Sequence, residues 1–174
     1  MTSSDLARQV RDVSRLTGEF VLRSGRTATE YFDKYQFESD PVLLDRLAEQ
    51  MAVLIPEGTE VLAGLEMGGI AVVTALGRHA GLPCAFVRKQ AKAYGTARLA
   101  EGAEVAGRRV LIVEDVVTSG GQVVLSTKDL RKLGAHVDHA LCVLDRQEGG
   151  AESLAAEGIK LRALLTRADL EAAA

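Results

Sequence analysis

Residues 108–122 read RRVLIVEDVVTSGGQ, and the expected architecture of the chain follows from them. The apolar run 110–113 is too short for a helix and rich in β-branched residues, so it predicts a strand buried on both faces. Two carboxylates, Glu114 and Asp115, follow where we expect this strand to leave the sheet. Residues 122–133 have helical apolar spacing, so the whole stretch predicts a strand, a glycine turn and a helix.

The residues that follow this strand indicate a site for a sugar phosphate. Ligands of open α/β sheets collect at the carboxyl ends of the strands, so Glu114 and Asp115 should face the site. Thr118 and Ser119 offer hydroxyl donors, and glycines at a helix start let backbone N–H groups approach a phosphate. Because carboxylates would repel that phosphate, we expect them to bind a neutral part of the same ligand, such as ribose hydroxyls.

Length and composition indicate one folded domain, residues 1–174, with a full core. Apolar residues make up 47% of the chain and charged residues 26%, and the net charge is −3. Nothing global therefore attracts nucleic acid, and any anion site must be local. No apolar run approaches the ~20 residues of a membrane span, and the N-terminal residues lack the apolar region of a signal peptide. We therefore expect a cytoplasmic protein with no nucleic-acid or membrane partner.

The cysteines and histidines do not indicate a metal site. Cys84 and Cys142 each lie in an apolar, strand-like setting, so we expect two buried thiols. The three histidines are scattered and lack the spacing of metal ligands, which makes a zinc site unlikely on the pattern alone. Residues 64–69 contain Gly-x-x-x-x-Gly after a strand, but Ile70 and Ala71 replace the Lys and Ser/Thr of a P-loop. We therefore expect a glycine turn at a helix start, which is either a bare turn or a place where backbone N–H groups meet a phosphate.

The flanking regions predict an α/β protein with a mostly parallel sheet. The predicted strands of this sheet are residues 61–63, 84–87, 110–113, 137–144 and 161–165. The predicted helices are residues 4–17, 41–54, 69–79, 123–133, 151–157 and 167–173. Two further short strands, 19–22 and 31–35, form no βαβ unit and should lie apart from the main sheet.

Residues 88–107 form a long polar connection, and loops of this length are usually functional or mobile. The densest basic cluster of the chain lies here, with Arg88, Lys89 and Lys92 followed by Arg98. The alternative is a solvated charge run. Cations on a closing lid would neutralise the charge of a phosphorylated ligand and exclude water. We therefore interpret residues 88–107 as a lid.

Residues 113–121 resemble the signature loop of the type I phosphoribosyltransferases, which bind 5-phosphoribosyl-1-diphosphate (PRPP). Three further motifs narrow the resemblance to the orotate phosphoribosyltransferases: Ser-Gly-Arg at 24–26, Arg-Lys-x-x-Lys-x-x-Gly-Thr at 88–96 and Asp-Arg-Gln-Glu-Gly-Gly at 145–150. The resemblance implies the type I phosphoribosyltransferase fold, a central mostly parallel sheet flanked by helices. It also implies a small N-terminal hood, residues 1–38, and a long flexible lid loop.

The same resemblance implies an assignment of the site residues. The expected PRPP-binding residues are Arg88, Lys89, Lys92, Tyr94, Glu114, Asp115, Val116, Val117, Thr118, Ser119, Gly120, Gly121 and Gln122. Within this set the acid pair is expected to hold the ribose hydroxyls, and residues 116–122 to wrap the 5′-phosphate. The expected orotate-binding residues are Arg23, Thr118 and Arg146. The expected catalytic residues are Lys89, Lys92 and Asp115. No residue is expected to be a dedicated metal ligand, and Mg²⁺ is expected to bind mainly through PRPP and water.

The chain departs from the family pattern at three positions. Arg23 stands where many relatives carry a lysine, which keeps the charge but changes the geometry. Gly68 stands where some relatives have another lysine, so that contact is missing here. Tyr94 replaces a histidine on the lid of many relatives. Since a phenol is a poor acid–base group near neutral pH, we do not expect proton transfer at this position.

The implied activity is transfer of the phosphoribosyl group of PRPP to orotate, giving orotidine 5′-monophosphate and diphosphate in the biosynthesis of UMP. In this family the lid cations reach the neighbouring subunit's site, so a homodimer is expected. Three alternatives remain: a transferase for a purine base, a regulator that senses nucleotides, and a PRPP synthase-like enzyme. The basic lid and Asp145-Arg146 favour orotate, the retained lid cations oppose the regulator, and no residues indicate the ATP site of a synthase.

Overall fold

The computed structural model describes residues 3–22, 24–91 and 98–173. The elements in these ranges are α1 (Ser3–Ser14), β1 (Arg15–Val21), β2 (Thr27–Phe32), α2 (Tyr35–Ser39), α3 (Pro41–Ala52), β3 (Val61–Leu65), α4 (Gly68–Ala80), β4 (Cys84–Val87), β5 (Ala100–Gly102), β6 (Arg109–Val117), α5 (Gly121–Lys132), β7 (His136–Asp145), α6 (Gly150–Ala156), β8 (Lys160–Thr166) and α7 (Arg167–Ala172).

The main sheet has six strands in the order β5-β4-β3-β6-β7-β8. All neighbouring pairs are parallel except β4 and β5, which are antiparallel at one edge. The predicted mostly parallel α/β sheet is therefore confirmed. Because β6 lies between β3 and β7, the carboxyl ends of these three strands meet at one edge of the sheet. That edge is where parallel α/β sheets place their ligands.

The sheet is buried on both faces, which explains the nearly continuous apolar sequences of its strands. Leu62 and Val113 face a core formed with α1, α3, α4 and α7. Ala63 and Ile112 face the opposite core, which is formed with α5 and α6. Cys142 is buried and Cys84 partly buried, and both are free thiols, as expected. None of the described helices is long and apolar enough to cross a membrane.

The N-terminal part of the chain forms a separate two-stranded sheet. Strands β1 and β2 pair antiparallel with each other and not with the main sheet, as predicted. The strand predicted over residues 31–35 is wrong in its bounds, because β2 ends at Phe32. The Asp33 carboxylate accepts hydrogen bonds from the backbone N–H of Tyr35 and the side-chain amide of Gln36. This turn ends the strand and begins α2.

Three other predicted bounds need correction. The N-terminal helix predicted to reach Thr17 ends at Ser14, where β1 begins. The central strand continues to Val117, so Glu114 and Asp115 lie within β6 and not beyond it. The predicted lid, residues 88–107, includes strand β5, which pairs with β4, and Val105 is buried. The backbone N–H of Arg88 also donates to the carbonyl of Leu99 over 2.9 Å, which closes the intervening segment at its base.

Candidate active site at the carboxyl ends of β3, β6 and β7

The acid pair on β6 is the most buried polar feature of this edge. The side chain of Asp115 is 1% exposed. Its Oδ1 accepts a hydrogen bond from the backbone N–H of Val116 over 2.5 Å. Its Oδ2 lies 2.6 Å from Nζ of Lys34. The Glu114 carboxylate accepts from the backbone N–H of Asp115 over 3.1 Å. Both acids are therefore held in fixed orientations at the end of the central strand.

Two residues of the N-terminal part complete this acidic group, and the sequence did not indicate either. Lys34 caps the start of α2, and Glu38 lies one turn further along that helix. The sequence does contain a signal for a turn here, because Asp33 precedes Lys34 and aspartate favours turns. The contact with Asp115 itself depends on tertiary structure. We refer to Lys34, Glu38, Glu114 and Asp115 as the acid cluster.

Burial and mutual contact separate the pKa values of the acid cluster. Burial, reinforced by the hydrogen bond and charge of Asp115, raises the pKa of Glu38 to about 8. Burial and the neighbouring charge of Asp115 also raise the pKa of Glu114 well above its usual value. Burial opposes ionisation of Asp115 too, but hydrogen bonds with Glu38, Glu114 and Lys34 outweigh it and lower its pKa.

The pKa of Lys34 is raised, because its contact with Asp115 outweighs the opposing effect of burial. These shifts favour the ionised forms of Asp115 and Lys34 and the protonated forms of Glu38 and Glu114. A site of this composition can donate and accept hydrogen bonds with little net charge. That property suits the hydroxyls of a sugar that carries phosphates elsewhere.

The turn between β3 and α4 brings backbone against this cluster. A Cβ added to Gly68 would lie 1.6 Å from Oδ2 of Asp115 and 2.7 Å from Oε1 of Glu38. Only glycine allows such an approach. The glycine turn expected at residues 64–69 is therefore present, with α4 starting at Gly68. The first N–H groups of that helix point toward the same edge, where they can contact an anion.

The loop from β6 to α5 has the geometry of a phosphate site over residues 118–122. Thr118 and Ser119 are exposed, and Gly120 has a φ of 77° immediately before α5. The first N–H groups of a helix have no intrahelical partner, so those of α5 are available to a phosphate. Val116 and Val117 belong to β6 and pair with β7, so their pairing fixes the position at which this loop begins.

Close packing fixes the phosphate loop against the next connection. A Cβ on Gly120 would lie 2.3 Å from Cδ1 of Leu154 in α6. A Cβ on Gly150, the first residue of α6, would lie 2.5 Å from the carbonyl oxygen of Thr118. In addition, the backbone N–H of Arg146 donates to the carbonyl of Val117 over 2.9 Å. The loop that follows β7 is therefore held directly beside the loop that follows β6.

Arg146 enters this edge from the end of β7. Its guanidinium lies 5.7 Å from the centre of the Phe32 ring and 3.2 Å from Oε1 of Glu148. A cavity of about 420 Å³ borders it, lined also by Phe32, Leu144 and Leu170. A planar guanidinium beside an aromatic ring and an apolar wall suits a flat, anionic ring such as a pyrimidine carboxylate.

The basic residues that follow β4 lie on the other side of β3 from the strand that carries the acid pair. Arg88 is half-buried with its guanidinium 3.8 Å from Glu101 at the outer edge of the sheet. Lys89 is exposed, and its backbone N–H donates to the Glu66 carboxylate over 2.5 Å. Strand β3 lies between β4 and β6, and the contacts of Arg88 and Lys89 are with Glu101 and Glu66. The expected residues Arg23, Lys92 and Tyr94 lie outside the described part of the chain.

The described residues fit a magnesium ion that arrives with its ligand. Across residues 3–22, 24–91 and 98–173, no group of three or more His, Cys, Asp or Glu side chains is placed to hold a metal ion. Glu114 and Asp115 nevertheless supply the oxygen donors that Mg²⁺ prefers. A magnesium ion carried by a diphosphate and water would therefore find compatible partners beside the acid pair.

The fold and the site define the chain as a phosphoribosyltransferase. The family model for the phosphoribosyl transferase domain matches residues 36–160, which include the acid pair, the phosphate loop and Arg146. The chain is thus an enzyme that transfers a phosphoribosyl group.

The more specific relationship follows from individual proteins. The chain is 52% identical over 168 residues to the orotate phosphoribosyltransferase of Nocardioides sp., covering 97% of this chain and 94% of that protein. It is 45% identical over 153 residues to the orotate phosphoribosyltransferase of Methanocella arvoryzae, covering 88% and 87%. The Mycobacterium tuberculosis orotate phosphoribosyltransferase, solved in complex with PRPP, matches with a TM-score of 0.83 and 31% identity over 97% of this chain and 98% of that one. The chain belongs to the orotate phosphoribosyltransferase family.

Proposed function

We propose that this chain transfers the 5-phosphoribosyl group of PRPP to orotate, giving orotidine 5′-monophosphate and diphosphate in pyrimidine (UMP) biosynthesis. The observation that carries the proposal is one edge of the sheet where the acid pair, a glycine-rich helix start and Arg146 meet. Membership of the family supports the same activity. The likeness to a relative solved in complex with PRPP supports the same donor.

The proposed residue roles follow from the geometry. Residues 118–122 hold the 5′-phosphate through backbone N–H groups and the hydroxyls of Thr118 and Ser119. Glu114 and Asp115 bind the ribose hydroxyls. Arg146 and Thr118 orient orotate beside the ribose. Val116 and Val117 contribute by placing the loop, because they are strand residues.

The chemical step requires little covalent participation by the protein. The bond between ribose C1 and the diphosphate oxygen lengthens to an oxocarbenium-like state. A ring nitrogen of orotate forms the new bond from the opposite face, and the proton that this nitrogen loses passes to the departing diphosphate. The electron pair of the broken bond leaves with the diphosphate. The Asp115 carboxylate stabilises positive charge that develops on the ribose, and the protein holds both reactants in line. Glu114 and Asp115 would offer oxygen donors to a magnesium ion bound with PRPP, and that ion would supply neutralisation of the charge on the diphosphate.

We propose that the lid cations act across a homodimer. Lys89, Lys92 and Tyr94 would contact the diphosphate bound to a neighbouring subunit, with Arg88 beside them. The support is that Arg88 and Lys89 lie on the other side of β3 from the strand that carries their own acid pair. A groove of about 670 Å³ along α3 and α4, with Met67 66% exposed at its edge, offers an apolar surface for the second copy. A cytoplasmic location is proposed on the basis of the two free cysteines.

An absorbance assay of orotate consumption with PRPP and magnesium tests the activity. We expect turnover by the wild type and, for Lys89→Ala, a loss of roughly 100-fold in kcat/KM with an unchanged fold. Lys132→Ala is the matched control, because that side chain is 75% exposed and pairs with Asp129 in its own helix. A wild type that consumes a purine base in place of orotate would contradict the proposal. Unchanged turnover in Lys89→Ala would remove the lid from the mechanism.

Mixing two inactive variants tests the shared site. Lys89→Ala lacks the lid cation and Asp115→Asn lacks the acid, so a mixed dimer would contain one complete site. Random subunit exchange should restore up to about a quarter of the wild-type rate. Exchange would be followed by mass spectrometry with one isotopically labelled variant. Complete exchange without regained activity would show that each lid serves its own chain.

A further inference from the structure

Lys34 belongs to a short segment that touches both sides of the proposed site. Residues 32–34 connect β2 to α2. The ring of Phe32 lies 5.7 Å below the Arg146 guanidinium, at the proposed orotate end. Nζ of Lys34 lies 2.6 Å from Oδ2 of Asp115, at the proposed ribose end. Two residues of this three-residue segment, Phe32 and Lys34, thus contact the residues assigned to the two substrates.

The charge of Lys34 has a specific use at this position. PRPP is a polyanion, and three carboxyl groups, those of Glu38, Glu114 and Asp115, lie where its ribose would bind. The side chain of Lys34 is 35% exposed and ion-paired with a carboxylate that is 1% exposed. A buried carboxylate without a partner would be costly and would repel the phosphates of an approaching ligand. Lys34 cancels that charge within the cluster.

The geometry of Asp115 depends on the same contact. The backbone N–H of Val116 holds Oδ1, and Lys34 holds Oδ2. With both oxygens held, the carboxylate can direct its remaining lone pairs toward a ribose hydroxyl without a change of rotamer. Gly68 leaves no space for the carboxylate to move away from this position.

We propose that Lys34 is a positioning residue for PRPP, and that residues 32–34 couple the binding of PRPP to that of orotate. Lys34 acts through Asp115 and does not touch the reacting atoms. Displacement of Lys34 shifts Phe32 and thereby the support of Arg146. The inference rests on the proposed function for the identity of both ligands. Nothing in the motif resemblance places a role at Lys34.

The first test measures PRPP binding by calorimetry, with magnesium and without orotate. We expect Lys34→Met to weaken PRPP binding roughly tenfold or more, and Lys34→Arg to recover most of the affinity. Lys128→Met is the control, because that lysine pairs with Glu157 on the far side of the sheet. Equal PRPP affinity of Lys34→Met and the wild type would overturn the inference. So would a Lys34→Arg protein no better than Lys34→Met while both unfold at the wild-type temperature.

Steady-state kinetics separate positioning from general damage. Lys34→Met should raise KM for PRPP with less than about a threefold change in kcat, because the contact acts on binding. A fall in kcat with an unchanged KM for PRPP would overturn the inference. A wild type that binds PRPP but does not consume orotate would instead contradict the proposed function, and the calorimetric comparison at Lys34 would still be readable.

A double-mutant cycle tests the coupling through residues 32–34. Phe32→Leu and Lys34→Met, alone and together, would be measured for affinity to orotidine 5′-monophosphate, which carries both the phosphoribosyl group and the pyrimidine. Coupling predicts that the double variant loses clearly less affinity than the product of the single losses. Losses that multiply within error would overturn the coupling.

Discussion

Gly68 presses its backbone against the carboxylate of Asp115, so that a Cβ at residue 68 would lie 1.6 Å from Oδ2. Resemblance alone suggests that a lysine contact is missing at this position. In the structure, the space that a side chain at residue 68 would need is filled by the carboxylate of Asp115, which pairs with Lys34. The cation against Asp115 enters from the N-terminal segment and not from the β3–α4 turn.

Gly68→Ala should therefore displace Asp115 and weaken PRPP binding by roughly tenfold or more, while the sheet remains folded. Calorimetry with PRPP and magnesium checks the affinity, and circular dichroism checks the fold. Thr74→Ala, on the exposed face of the same helix, is the control for a small change in α4. Wild-type affinity in Gly68→Ala would show that the carboxylate can move without consequence.

Gly120→Ala should destabilise the protein by about 2–4 kcal/mol. The cost combines a φ of 77°, which disfavours a Cβ, with overlap on Leu154. Urea unfolding gives the free energy. The double variant Gly120→Ala, Leu154→Ala should be less destabilised than the sum of the single variants, because the overlap is relieved. Strict additivity would mean that the backbone conformation alone sets the cost.

Glu38 should make stability fall as pH rises. Its pKa is about 8 in the folded chain, against about 4.5 for an unperturbed glutamate. The native state therefore retains a proton that the unfolded state has lost between these values. This contribution is complete below pH ~4.5 and disappears as pH passes ~8.

Urea unfolding at several pH values between 5 and 8 checks this expectation. Glu38→Gln should show a shallower decline than the wild type across the interval, because it cannot ionise. Glu114 also has a raised pKa and remains in both proteins, so the difference between them isolates Glu38. Parallel curves for the two proteins would contradict a raised pKa at Glu38.

Arg146→Lys should raise KM for orotate roughly tenfold or more, with a smaller effect on KM for PRPP, because lysine cannot reproduce the planar fork or the stacking on Phe32. Initial rates at varied orotate provide the measurement. Arg167→Lys is the matched control, since Arg167 lines the same cavity but pairs with Glu171 in its own helix. Similar increases for both variants would mean that the effect is not specific to Arg146, and an unchanged KM in Arg146→Lys would mean that the positive charge alone suffices.

The sequence was most informative where local pattern and chemistry coincide. Residues 110–122 predicted a buried strand, a glycine turn and a helix, and all three are present. The order of motifs at strand ends also predicted which loops meet. Strand β5 was not predicted, because three residues, Ala-Glu-Gly, carry no strand pattern and pair only through β4. The extension of β6 was missed for a related reason, since pairing with β7 keeps Glu114 and Asp115 extended despite their low strand preference.

The acid cluster could not be predicted, because it joins residues that are far apart in the chain. The pattern around Lys34 favoured a strand, and no local signal connects α2 with the end of β6. Only the packing of the N-terminal segment over the sheet brings Lys34 and Glu38 to Asp115. The basic residues predicted to form a lid are the opposite case, since the sequence marks these cations clearly and the family resemblance alone assigns them to the neighbouring subunit.

The hydrogen bond from the backbone N–H of Arg88 to the carbonyl of Leu99 holds the two ends of the intervening segment together. Ten residues anchored at both ends can extend no further than half their stretched length, roughly 17 Å. A diphosphate contacted by a side chain of this segment must therefore lie within that radius of the end of β4, extended by the length of the side chain. This hydrogen bond therefore limits the distance between two subunits at which the segment of one could contact a diphosphate bound to the other.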